Sequence, residues 1–147
     1  MLRLQVFAAY HQLHLAPMNV SPIYDVNATP GLLQLADGGT SVIIETGIAM
    51  GAVTINIEQI DQAPGQTLVS ALEAWEDGAE ATLQIAEPLY LSSLTIENGI
   101  FDPVIVPSRP GNHRIRVLAR GRYSQKHDSG KNVAYEEYQV TAWPKVA

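Results

Sequence analysis

The chain has no cysteine. That removes disulfides, thiolate metal sites and thiol nucleophiles, and it agrees with a reducing, cytoplasmic setting. Long apolar runs are missing as well. No stretch approaches the ~18 residues of a membrane-spanning helix, so no membrane partner is expected. Basic residues are scarce over most of the length. Residues 1–108 carry twelve acids but one base, Arg3, whereas residues 109–147 carry eight bases and three acids. The net charge of −6 therefore hides a change of sign along the chain. Helical periodicity is also rare, which argues against a parallel α/β fold with its regular crossover helices.

Alternation is what the sequence has in abundance. The clearest case is Pro110–Tyr123, PGNHRIRVLARGRY. Pro110-Gly111 signals a turn. Beyond it His113, Ile115, Val117 and Ala119 share one face of a strand, and Arg114, Arg116, Leu118, Arg120 and Arg122 share the other. Similar alternation marks 2–8, 53–58, 82–86, 94–106 and 135–143. The N-terminal segment alternates too, with polar residues interrupting it, so it reads as part of the fold and not as a signal peptide. Asn98-Gly99 between apolar segments is a hairpin signal. In 61–78, Leu68, Leu72 and Trp75 have helical spacing, and Ser70 with Glu73 suggests a capping box. One short helix is expected there. The length of 147 residues fits one domain. The expected fold is all-β: a single antiparallel β-sandwich spanning 1–147, with at most one short helix.

The chemistry-bearing residues form no catalytic signature. His11 and His14 are three apart, which puts them on opposite faces of one continuous strand. Zinc needs three or four ligands with known spacing, so no metal and no cofactor is expected. There is no G-x-S-x-G elbow and no Gly-rich phosphate loop before a helix. The arginines of 109–122, with Tyr123 for stacking, suggest a nucleic-acid stripe. The acidic whole, with Glu136 and Glu137 on the last strand, argues against one. Asp61–Glu80 holds five acids and no base, with Trp75 beside Glu76-Asp77. This is the candidate partner-binding site: Glu73, Trp75, Glu76, Asp77 and Glu80, steering a basic protein toward an aromatic anchor. The arginine face is expected to pair within the fold, leaving the acidic stretch exposed. A small-ligand or carbohydrate-binding domain using Trp75, Trp143 or tyrosines is the second reading, and a hydrolase the third.

Short motifs add a resemblance. Tyr10-His11-Gln12, Ala36-Asp37-Gly38-Gly39, Glu97-Asn98-Gly99-Ile100, Pro110-Gly111 and the closing Trp143-Pro144 occur in an order similar to that of the competence protein J family. The characterised type of that family inhibits a DNA-entry nuclease. The resemblance extends to a broad set of bacterial domains with an Arg-rich penultimate strand. It implies a non-enzymatic bacterial β-sandwich of the inhibitor or immunity type, which binds and blocks a nuclease or toxin. It carries no inhibitory residue over to a position of this chain.

Overall fold

The computed structural model describes residues 1–18, 20, 31–93, 102–122 and 136–146. Nine strands form one mixed sheet: β1 (Leu2–Ala9), β2 (Gln12–Ala16), β3 (Leu33–Ala36), β4 (Ser41–Glu45), β5 (Met50–Gln59), β6 (Asp77–Ile85), β7 (Tyr90–Ser92), β8 (Gly111–Arg120) and β9 (Glu137–Pro144). The order along the sheet is β3-β4-β2-β1-β5-β9-β8-β6, and β7 pairs with β2. β1 leaves β2 at the Ala9–Gln12 pair to run along β5, and β7 joins β2 at His14–Ala16.

The all-β expectation holds, but the architecture differs from an antiparallel sandwich in two ways. β5 and β9 are parallel, in register from Thr54 with Glu137 to Gln59 with Ala142. The sheet also curls until its ends approach. The Gln84 N–H of β6 donates to the Gly39 carbonyl, at the β3–β4 turn, at 2.8 Å. The result is a sheet nearly closed into a barrel, which leaves few unpaired edges.

Alternation explains the core. Ile115, Val117 and Ala119 of β8, Val53 and Ile55 of β5, and Tyr138 and Val140 of β9 all point inward and are fully buried. Leu13, Leu15, Val42, Ile44, Leu83 and Ile85 join them. The alternation read at 2–8 is β1, and Leu13 and Leu15 belong to β2. β1 and β2 are separate strands folded back at Tyr10-His11. The Asp37-Gly38-Gly39 turn has φ of 56°, 72° and 86°, a left-handed run in which two glycines avoid the Cβ clash.

The only α-helix among the described residues is one turn, α1 (Leu68–Ala71). Its cap is not the Ser70–Glu73 box expected from the sequence. Thr67 Oγ1 accepts the Ser70 N–H at 3.1 Å, so the helix begins three residues earlier. The Asn98-Gly99 hairpin, most of the 17–31 connection and the 124–133 loop lie outside the described residues.

Register also fixes which chain segments meet at one rim of the barrel. Ala9 pairs with Met50, Gln12 with Glu45, Arg120 with Glu137 and Ala119 with Asp77. The Tyr10-His11 turn, residues 46–49, 74–76 and 121–122, and Glu136 therefore share that rim.

Candidate partner-binding face

The outward side of β6, β8, β9, β5 and β1 is built by alternation. β8 presents Arg114, Arg116, Leu118 and Arg120; β9 presents Glu137, Gln139, Thr141 and Trp143. Opposite Arg116 on β6 stands Glu80, and opposite Arg114 stands Thr82. Glu80 bridges two guanidiniums, accepting from Arg114 Nη2 at 3.1 Å and from Arg116 Nε at 2.7 Å. Arg116 is itself buried, and its Nη1 donates to the Gln66 carbonyl at 2.9 Å. Cross-strand ion pairs of this kind fix register as well as charge.

A second network runs along the same face toward the rim. Arg120 donates twice to Glu137 Oε1, at 2.9 and 2.7 Å. On the other side of Glu137, Asn56 Nδ2 and Arg3 Nη1 donate to Oε2 at 2.8 and 3.1 Å. Burial alone would raise the Glu137 carboxyl. The hydrogen bonds from Arg120, Asn56 and Arg3 outweigh it and hold the group below its ordinary range. Arg120 also lies over Trp75, its guanidinium carbon 4.2 Å from the ring centroid. Trp143 is covered in the same way by Arg116, at 5.6 Å.

The acidic stretch and the arginine strand are thus one structure. Asp77 is tied to Arg122, with Oδ2 accepting from Nη1 at 2.9 Å. Glu76 Oε1 accepts the Gly121 N–H at 3.0 Å, and the Glu76 N–H donates to the Ala119 carbonyl. The arginines do pair within the fold, as expected. Their partners include Glu80 and Asp77, so the expectation that the acidic stretch as a whole stays exposed is corrected. Glu73 and Glu76 remain exposed and enter no ion pair among the described residues, and Trp75 is half-buried.

α1 explains why this face is not bare. Gly78 sits where a Cβ would meet Leu118 Cδ2 at 2.8 Å, Leu68 Cδ1 at 2.9 Å and Leu72 Cδ2 at 3.2 Å. Leu68 and Leu72 therefore cover Leu118 on the outer side of the sheet. Sequence reasoning noted Glu137 as a neutraliser but missed Arg3 and Asn56. Its other suggestion, Glu136, points to the interior and is fully buried. The parity of β9 carries this distinction, because adjacent residues take opposite faces.

His11 and His14 do not lie on the one continuous strand that their spacing was read on. His11 sits in the turn with Nδ1 donating to the Thr46 carbonyl at 3.0 Å. His14 is buried on β2, with Nε2 2.9 Å from Gln12 Oε1, and burial lowers its pKa. No group of three or more His, Asp or Glu side chains suited to a metal ion occurs among the described residues.

No family model and no curated protein matches the chain. A solved structure does. It is ComJ from Bacillus subtilis, an inhibitor of the DNA-degrading activity of NucA. The likeness covers 99% of this chain and 96% of that one, with a TM-score of 0.58 and 11% sequence identity. At that identity the two proteins share a fold.

Proposed function

We propose that this chain is a non-enzymatic protein-binding module that inhibits a bacterial nuclease or toxin. The observation that carries the reading is the likeness to ComJ along nearly the whole of both chains. The outer face supports it. Its charges are committed to one another across strands, which orders the surface in advance and lowers the cost of docking. Glu73, Trp75 and Glu76 contact the partner. Asp77 and Glu80 act behind them by holding Arg122, Arg114 and Arg116. A basic partner suits the exposed acids, because enzymes that act on polyanions carry cationic surfaces. The two tryptophans give the carbohydrate reading little support, since a guanidinium already lies over each ring.

The test is inhibition of DNA degradation. The purified chain is titrated into NucA and into nucleases encoded near its own gene. Stoichiometric loss of activity of one of them is the expected result. A chain that slows none of them in large molar excess, and binds none, would falsify the reading.

A further inference from the structure

The turn joining β1 and β2 is an outlier that the fold alone does not require. Two-residue hairpin turns with positive φ at both central positions favour Asn-Gly, because side chains clash in the left-handed region. Here the two positions are Tyr10, with φ 53°, and His11, with φ 61°. A bulky residue in that region is held there by its surroundings. The surroundings are on His11. Its N–H donates to the Ala49 carbonyl at 3.1 Å, its carbonyl accepts from Thr46 N–H at 2.8 Å, and its ring donates to the Thr46 carbonyl. The Tyr10 N–H meets Met50 Sδ at 3.4 Å.

The effect of this clamp is to push an aromatic ring into solvent. Tyr10 is 63% exposed. Beside it the outward-facing Phe7 is 42% exposed and Met50 44% exposed. Tyrosine is a frequent anchor of protein interfaces, and a clamped turn offers it without loss of loop entropy. On the same rim Arg120 and Arg122 are bound to Glu137 and Asp77, while Glu76 stays exposed, as does Glu73 three residues before it. Among the described residues there, the charges that enter no ion pair are these two acids.

From the strained turn, its exposed apolar neighbours and the uncompensated acids, we infer that Tyr10, flanked by Phe7 and Met50, anchors a cationic protein on this rim. The inference rests on the protein-binding reading above and names its surface. The occupant is a basic protein because the acids of the same rim complement it.

The experiment uses p-benzoylphenylalanine at Tyr10, with Val106 as the control position, in the cells that make the chain. Val106 is half exposed and bonded to Gln59, at the opposite end of β5. Captured proteins are identified, purified and tested for binding. The expected result is a basic protein joined from position 10 and not from 106. Its affinity falls at least about tenfold in Y10G and in F7T. In E73Q/E76Q its association slows at low salt.

Y10G separates binding from folding. Glycine relieves the left-handed strain, so the melting temperature rises by about 2–6 °C while binding falls. No capture from position 10, equal capture from both positions, or wild-type affinity in Y10G and F7T overturns the inference. A nuclease inhibited equally by wild type and Y10G leaves the inhibitor reading standing and removes this surface. A basic protein captured at Tyr10 whose activity is unchanged on binding does the reverse.

Discussion

Tyr138 donates its hydroxyl proton to Glu136 Oε2 at 2.9 Å, and both residues are fully buried. The same hydroxyl accepts the Gly47 N–H at 3.3 Å. Glu136 immediately precedes β9 and Tyr138 lies two residues on within it, so the pair turns a carboxylate into the interior and then satisfies it. Removing the hydroxyl in Tyr138→Phe leaves that buried carboxylate one donor short. The expected loss is about 1–3 kcal/mol in urea unfolding, with the strand content unchanged by circular dichroism. A midpoint equal to wild type would show the bond to contribute nothing net.

Glu136 should also impose a pH dependence. Burial raises its pKa above the ordinary 4.5; Tyr138, the Ile48 and Gly47 N–H groups and Arg122 pull it back only in part. The folded state then holds this proton more tightly than the unfolded state. The contribution is fully present below 4.5 and is lost as pH rises through the folded value. Glu136→Gln lacks that component. The difference in unfolding free energy, wild type minus variant, should therefore fall as pH rises from acid to neutral. A difference that is flat, or that grows toward neutral pH, would contradict the sign.

Gly47 owes its identity to the same cluster. A Cβ there would lie 2.5 Å from Glu136 Oε1 and 2.7 Å from the Arg122 carbonyl oxygen. The carbonyl belongs to backbone and cannot rotate away. Gly47→Ala is expected to cost about 1–3 kcal/mol through overpacking, measured by the same unfolding assay. Gly31, with no atom within 4 Å of an added Cβ, serves as the control.

The acidic residues divide by stability. Glu80→Gln loses its charge beside the partly exposed Arg114 and the buried Arg116, and should cost about 1.5–3 kcal/mol, the range for hydrogen bonds to charged groups. Glu73→Gln with Glu76→Gln should leave the melting temperature within about 2 °C, because exposed charges contribute little. Neutralising all four acids, Asp77 and Glu80 included, would therefore confuse folding with binding. Only the exposed pair is a clean probe of the partner.

Much of the fold was legible because alternation reports faces directly. β8 is the clearest example: Ile115 and Val117 are inward and the arginines outward, as the residues dictate. Alternation says nothing about neighbours. Nothing local in Val53–Ile57 announces a parallel partner in β9, so the sandwich expectation missed the mixed, curled sheet. The candidate site was half legible for the same reason. Glu80 and Asp77 read as part of an exposed acidic stretch because their arginines lie more than thirty positions away in sequence. Tyr10-His11 was visible as a motif, but neither residue type signals a left-handed turn.

The parallel pairing of β5 with β9 makes the last strand a keystone. In the order of the sheet, β9 stands between β8 and β6 on one side and the path through β5, β1, β2, β4 and β3 on the other. Asn56 and Glu137, which meet through it, stand 81 positions apart. Closing so long a loop is slow, and parallel edges wait unpaired in the meantime. Pulse-labelled hydrogen exchange during refolding should show the β1–β5 amides protected before those shared by β5 and β9. A chain in that interval has two open edges of its own, at β5 and at β8, each able to accept a strand from another molecule. Seating residues 137–144 covers both of these edges at once.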